Sequence, residues 1–304
     1  MVFNFEYPIE RERGLDYRED LFCPFVAVFD LTRTHDPAII ASTKPHDIEI
    51  VGNVRDKEIA RRESIRSASP CNDPFVATLV SAADQFIVKR GDLYSIIAGY
   101  HWFSDWGRDT MISLPGLTLV TGRYDVAKSI LQDYAALIDK GMLPNRFPDA
   151  GEPPEYNTVD AALWFIEAVR CYLDYTGDMD FVRGLYDRLL SIIDWHLNGT
   201  RYGIHVDDDG LLIAGGPGTQ LTWMDAKIGD FVPTPRHGKP VEIQALWSNA
   251  VRFMTTLSED FGDLNTNTLL PELGPRIRSS FNRQFWNADG RSSAGITRHL
   301  GGII

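Results

Sequence analysis

The chain has 304 residues, 44% of them hydrophobic and 24% charged, proportions typical of a folded globular protein and not of a disordered or fibrous one. Lys and Arg total 30 against 42 Asp and Glu, a net charge of −12. This balance argues against nucleic acid or an anionic membrane as the main partner, because both need clustered cations. A neutral, hydroxyl-rich ligand is compatible with such a surface.

The first 70 residues lack the apolar periodicity of a self-sufficient domain, so we expect them to form an irregular arm or linker. Residues 6–14 are highly charged. Residues 22–31 alternate weakly in hydrophobicity and could form a strand, and residues 58–63 favour a polar helix.

From Asp73 onward the pattern becomes helical. Asp73 is a candidate N-cap, and Pro74 suits the first helical position. Residues 207–210 predict the turn of a hairpin within residues 202–213. The pattern predicts seven helices, of which the first begins near residue 73. The other six cover about 107–120 (kinked at Pro115), 123–139, 158–175, 178–197, 241–257 and 269–285.

Three long connections, residues 90–106, 140–157 and 214–240, lack periodicity and are rich in Gly, Pro, Trp, Asp and Arg. Structureless loops of this length inside a compact domain usually serve function. Short links alternate with these long ones, a pattern that predicts a helical toroid with a site where the long loops converge.

The three cysteines are widely spaced and include no C-x-x-C pair, so neither a zinc site nor a disulfide framework is expected. No stretch approaches the ~20 apolar residues of a membrane span, and no signal-peptide pattern opens the sequence. We therefore expect a reducing cytoplasm and no membrane partner.

The first candidate site segment leads into the second helix, with Asp105 as a possible N-cap and Arg108 and Asp109 in the first turn. A paired Arg and Asp can donate to and accept from adjacent sugar hydroxyls, while Trp102 or Trp106 stacks on the ring. Helix capping with an Arg–Asp ion pair explains the same residues equally well.

The second segment leads into the helix near residue 158 and contains Glu152, Glu155 and Asp160. Asp160 suits the positive end of the helix dipole, so a structural role competes with a ligand-binding one. The two glutamates could simply be solvated loop carboxylates.

The third segment carries Asp225 beside Trp223 and Met224. Partial desolvation there would favour the protonated carboxyl, which is the proton donor that a glycosidic oxygen needs. A surface loop acid is the alternative. His237 could act as a base, but no Ser or Cys nucleophile has a recognisable setting, and no phosphate loop or zinc motif is present.

Together these segments resemble the glucosidase domain of glycogen debranching enzymes, the amylo-α-1,6-glucosidase family, over roughly residues 1–290. Four motifs carry the resemblance: Trp-Gly-Arg-Asp at 106–109, Pro-Glu-Tyr-Asn-Thr-Val-Asp at 154–160, Thr-Trp-Met-Asp at 222–225 and Thr-Pro-Arg-His-Gly-Lys-Pro-Val-Glu at 234–242. The resemblance implies an all-α fold, an (α/α)6 toroid of the six-hairpin glycosidase type. It also implies hydrolysis of the α-1,6-linked glucose at branch points by an inverting acid/base mechanism.

The implied partner is glycogen, another branched α-glucan or a limit dextrin. No cofactor or metal is implied, since the reaction needs only water and two carboxyl groups. Asp225 matches the family's general-acid aspartate, and Arg108 and Asp109 resemble the pair that holds the terminal glucose. The implied substrate-binding set is Trp102, Asp105, Trp106, Arg108, Asp109, Tyr156, Asn157, Asp160, Trp223, Arg236, Lys239 and Glu242.

The sequence also departs from the family pattern. The complete toroid has twelve helices, residues 291–304 match nothing expected, and the family's general-base glutamate has no counterpart. We therefore expect an arm over residues 1–70 from a missing β-rich domain, a partial glucosidase domain over 71–290, and an aberrant tail over 291–304. The tail should pack poorly, and the incomplete toroid should be marginal as a monomer.

Two alternatives remain open at this point. One is another (α/α)6 glycosidase, glucoamylase-like or trehalase-like, although the Thr-Trp-Met-Asp and Thr-Pro-Arg segments disfavour it. The other is a catalytically impaired chain that lacks the general base and only binds glucan. The oligomeric state does not follow from the sequence.

Overall fold

The computed structural model describes residues 1–286 except 13, 15, 34–36, 43, 70, 72, 92, 101–102 and 147–152, and leaves the side chains of 267–269 undescribed. The chain divides into two compact units, Met1–Arg61 and Arg62–Ile304. The tail at 291–304, with the packing expected of it, lies outside the described residues.

The first unit contains an antiparallel hairpin that the sequence did not predict. Strands β1 (Val2–Glu6) and β2 (Arg18–Leu21) pair with Phe5 opposite Glu19, and the short helix α1 (Pro8–Glu12) lies between them. The strand expected within residues 22–31 is wrong, because residues 22–30 form neither helix nor strand. Helix α2 (Val51–Ser67) contains the polar helix expected at 58–63 and has no buried residue.

All seven helices expected in the second unit are present among its described residues. They are α3 (Pro74–Asp84), α4 (Gly107–Leu114), α5 (Tyr124–Ala136), α6 (Ala161–Thr176), α7 (Met179–Asn198), α8 (Val241–Phe261) and α9 (Thr266–Phe285). Asp73 caps α3 by accepting from the Phe75 and Val76 amides, as its position predicts. Pro115 ends the α-helical part of α4, which continues as one π-helical stretch over Pro115–Leu119.

Two small antiparallel elements accompany the helices of the second unit. Strands β3 (Ile87–Arg90), β4 (Leu93–Gly99) and β5 (Phe103–Asp105) form a three-stranded sheet in order, so the connection at 90–106 is not structureless. The expected hairpin around 207–210 is confirmed as β6 (His205–Val206) and β7 (Leu212–Ile213). The fold is therefore helix-rich with small antiparallel sheets.

The core of the second unit is built around α6, which packs against α4, α5, α7 and α8. Its apolar stripe is buried along most of its length, including Phe165, Ile166 and Val169. The helix ends at Gly177, whose φ of 65° is the left-handed conformation that glycine adopts without strain. Within the described residues, no helix is both long and apolar enough to span a membrane.

Candidate active site

The first two candidate segments meet at the start of α4. The Gly107 amide donates to the Asn145 carbonyl oxygen at 2.8 Å, and a Cβ at Gly107 would lie 2.1 Å from the Pro144 carbonyl oxygen. Isolated bridges join Trp106 to Arg146 and Arg146 to Glu155. Only glycine permits this close approach, so the conformation of the second segment depends on Gly107.

Arg108 is the centre of a buried polar cluster. Its Nε lies 2.8 Å from both carboxylate oxygens of Asp160, and its Nη2 donates to Thr158 Oγ1 at 2.9 Å. Thr158 Oγ1 in turn donates to Asp160. Multiple charge-assisted bonds of this kind fix the guanidinium in one orientation.

Asp160 occupies the N-cap position of α6, yet its side chain makes no capping hydrogen bond. The carboxylate binds Arg108 instead. Asp160 nevertheless lies at the positive end of the helix dipole, as its position in the sequence predicts. Burial raises the pKa of the Asp160 carboxyl, against the opposing attraction of the Arg108 guanidinium.

The third segment joins this cluster through its backbone. The Val159 amide donates to the Leu221 carbonyl oxygen at 2.9 Å, and Thr222 is buried next to it. Asp225 Oδ2 then lies 3.8 Å from Arg108 Nη1. Arg108, Asp160 and Asp225 therefore lie in one cluster, as the convergence of the long connections predicts, whereas the same position for Asp109 stays a prediction.

The surroundings of Asp225 correct one expectation. Its side chain is 53% exposed and the neighbouring Trp223 is 56% exposed. Trp223 and Met224 therefore do not shield the carboxyl from water in this conformation, contrary to the desolvation expected from the sequence.

A cavity of about 490 Å³ opens beside the cluster. Its walls include Asp160, Trp164, Glu167, Trp223 and Glu242. An aromatic wall combined with convergent carboxylates is typical of sites for polar organic ligands.

Arg236 connects two of the cavity walls. Its guanidinium carbon lies 5.7 Å from the Trp223 ring centroid, and its Nη2 donates to Glu242. Contact with Arg236 supports Trp223 from one side, so its exposed ring can present a flat surface to a ligand.

The candidate site residues chosen from the sequence omitted Trp164 and Glu167. Trp164 comes four residues after Asp160, and Glu167 comes three residues after Trp164, so all three lie on the same face of α6. Because Asp160 was a predicted site residue, this helical spacing could have identified Trp164 and Glu167 as site residues from the sequence.

Several predicted site residues have other partners. Asp105 is the last residue of β5 and binds Arg90 and Ser95, while Trp106 takes the N-cap position of α4, so the capping role expected for Asp105 is wrong. Lys239 binds Asp207 at 2.6 Å and Asp209 at 2.7 Å.

The remaining predicted residues have mixed positions. Tyr156 donates through its hydroxyl to the Leu137 carbonyl oxygen, Asn157 donates to Glu155 at 3.4 Å, and Asp109 is exposed in the first turn of α4. Trp102 and Glu152 lie outside the described residues. Their ligand-binding roles stay predictions.

The described part of the chain contains no group of three or more His, Cys, Asp or Glu side chains arranged to hold a metal ion. Three arginines, Arg108, Arg170 and Arg236, pair with carboxylates that line the cavity. The site therefore offers paired charges and an aromatic surface.

Comparison with known proteins adds a family. A family model described as amylo-alpha-1,6-glucosidase matches residues 81–299. The glycogen debranching enzyme of Saccharomyces cerevisiae is 29% identical over 245 aligned positions, which cover 59% of this chain and 16% of the yeast protein.

Two rhamnosidases are among the solved structures that this chain matches. The Klebsiella oxytoca rhamnosidase with rhamnose bound has a TM-score of 0.47 and 16% identity to this chain. The match covers 60% of this chain and 33% of the rhamnosidase chain. A GH78 family rhamnosidase of Bacillus sp. GL1 has a TM-score of 0.45 and 17% identity to this chain. The match covers 62% of this chain and 18% of the rhamnosidase chain.

Proposed function

The chain belongs to the amylo-α-1,6-glucosidase family, and from this premise we propose that its site acts on the α-1,6-linked glucose at branch points of glycogen or a limit dextrin. One observation carries the proposal. A buried, fully oriented arginine, Arg108, lies beside an exposed carboxyl, Asp225, and binds Asp160, which lines a cavity together with Trp223.

In the proposed mechanism, Asp225 gives its proton to the glycosidic oxygen as the bond to the anomeric carbon breaks. A sugar ring stacked on Trp223 would exclude water from the carboxyl. Desolvation favours the protonated acid, which is the form required for this step. Arg108 and Asp109 would bind hydroxyl groups of the terminal glucose, with Glu242 and Arg236 holding the wall.

Inversion requires a second carboxylate about 6.5–9.5 Å from the first, with a water between them. The carboxylates on the cavity wall, Asp160, Glu167 and Glu242, each pair with an arginine. Because each of them is already bound to an arginine, we assign none of them as the base. A catalytically impaired chain that retains glucan binding is therefore the alternative.

We further propose that the seven helices form part of an (α/α)6 toroid in a cytoplasmic enzyme. The packing order supports the toroid: α4 contacts α6 and α6 contacts α8, while α5 contacts α7. Alternate helices packing side by side is the arrangement of an inner and an outer ring.

Glucose release from a limit dextrin and from α-glucosyl fluoride tests the role of Asp225. Asp225→Asn should keep dextrin binding by calorimetry but lower dextrin turnover by about 10²–10⁴-fold, the usual contribution of a positioned proton donor. The loss should be much smaller on the fluoride, whose leaving group needs little protonation.

Asp230→Asn, a substitution of an exposed acid in the same connection, is the matched control and should leave both activities unchanged. Equal losses of Asp225→Asn on dextrin and fluoride would exclude the acid role. Preferential release from maltose or trehalose would favour a glucoamylase-like or trehalase-like enzyme, and binding without turnover would favour the impaired chain.

A further inference from the structure

The first unit exposes a run of apolar side chains that the proposed activity does not use. Residues 22–30 form no helix, strand or turn. Within them, Phe25 is 67% exposed, Val26 81% and Val28 88%. Contiguous exposed apolar residues of this kind mark interaction surfaces.

The backbone of this segment is also available for pairing. Apart from a 3.5 Å contact between Cys23 Sγ and the Phe25 carbonyl oxygen, the groups of residues 25–29 make no hydrogen bond to other described residues. Aromatic and β-branched side chains favour strands. Pro24 and Asp30, residues common at strand ends, bound the segment.

The sequence of the segment points to its partner. Residues 25–29 read Phe-Val-Ala-Val-Phe in both directions. Antiparallel pairing about a two-fold axis at Ala27 would place Phe25 opposite the partner's Phe29 and Val26 opposite the partner's Val28. A surface that is complementary to itself is what a two-fold symmetric dimer requires, and aromatic pairs directly opposite each other stabilise a sheet.

We propose that two copies of this chain associate through residues 24–30, which form an antiparallel two-stranded ribbon centred on Ala27. Two-stranded ribbons are marginally stable in water. The dimer should therefore form in a concentration-dependent manner, and the α-helical unit should keep its structure in both states.

Charged substitutions on facing positions of the ribbon test this register. The measurement is sedimentation velocity on the full chain. Val26→Lys with Val28→Lys places like charges opposite each other and should abolish the dimer, and Val26→Glu with Val28→Glu should do the same. Mixing the two variants brings opposite charges together and should restore a dimer of one copy of each.

A second measurement fixes the position of the axis. In a Cys23→Ser background, Ala27→Cys should give a disulfide-linked dimer at least about tenfold faster than Ala38→Cys, an exposed position outside the ribbon, because cross-strand Cβ atoms approach within ~4.5–5.5 Å. A chain that stays monomeric up to its solubility limit overturns the proposal. So do assemblies larger than dimers, or a dimer that survives the paired lysine substitutions.

Discussion

At the scale of single residues, the buried pair of Arg108 and Asp160 has a structural cost as well as a role in the site. Asp160 is 2% exposed, so removing its partner would leave a carboxylate buried without a counter-ion. Arg108→Ala should therefore lower the free energy of unfolding by about 3–5 kcal/mol, in addition to any loss of sugar binding.

A double-mutant cycle separates these effects. Replacing both Arg108 and Asp160 by Ala should cost less than the sum of the single changes in urea unfolding, with a coupling free energy of about 1–3 kcal/mol. The pair Arg170 and Asp174, in which the Asp174 side chain is 60% exposed, is the control and should couple by only about 0.3–0.5 kcal/mol. Additive losses at Arg108 and Asp160 would contradict the structure.

His196 makes stability depend on pH. It is buried in α7, with Nδ1 2.7 Å from the Ile192 carbonyl oxygen and its ring stacked on Trp247. Burial lowers the pKa of His196 to about 4, while an unfolded histidine titrates near 6.5. Between these values the unfolded chain binds more protons, so the His196 contribution to stability is present above about pH 6.5 and is lost as the pH falls through about 4.

Each pH unit within that window should remove about 1.4 kcal/mol from the free energy of unfolding. Urea titrations of His196→Gln should show a shallower pH slope than those of the unmodified chain. Identical slopes for the unmodified chain and His196→Gln would show that His196 is not buried as a neutral group.

At the scale of elements, two helical glycines should respond oppositely to the same substitution. Gly107→Ala would place its Cβ 2.1 Å from the Pro144 carbonyl oxygen, a backbone atom that cannot move alone, whereas a Cβ added at Gly184 in α7 would meet no atom within 4 Å. Gly107→Ala should therefore destabilise the chain by about 1–3 kcal/mol, and Gly184→Ala should stabilise it by about 0.5–1 kcal/mol.

Thermal melts of the two alanine variants provide the measurement, and sugar binding distinguishes them further. Only Gly107→Ala should also weaken binding, because it displaces the segment that leads to Asp160. A Gly107→Ala variant as stable as the Gly184→Ala variant would mean that the second segment does not lie against α4.

The helices were predictable from sequence because their signals are local. Asp73 caps α3, Gly177 ends α6 and Asp178 caps α7 by accepting from the Phe181 amide, each as its position predicts. The sheet β3–β5 was not predicted, because its strands are short and its pairing partners are not visible in a single-sequence pattern. Arg108, Asp160 and Asp225 were identified through motifs, whereas their mutual distances and the exposure of Asp225 depend on long-range packing.

At the scale of the whole molecule, stability should come from the second unit. Within the described residues, every buried apolar side chain lies between Val80 and Phe285. A chain lacking residues 1–67 should thus keep its helical circular-dichroism spectrum, and its Tm should shift by less than about 2–4 °C, the change that ~1 kcal/mol produces in a protein of this size.

The Leu131→Ala variant provides a control for the sensitivity of the melt. Leu131 is fully buried in α5, and its truncation should cost about 2–5 kcal/mol. A deletion of residues 1–67 that lowers the Tm as much as Leu131→Ala would show that this N-terminal segment, which includes the whole of α2, contributes to the stability of the rest of the chain.

The long separation of the site residues along the chain has a consequence for refolding. Arg108 and Asp160 are 52 positions apart, and Asp225 comes from a third stretch, whereas each helix is closed by contacts within a few residues. Local contacts form early and distant ones late, since closing a long loop costs entropy before the contact repays it. After dilution from denaturant, the helical circular-dichroism signal should return first and sugar binding last. Sugar binding, and not helix content, therefore measures the fraction of chains that have reached the native fold.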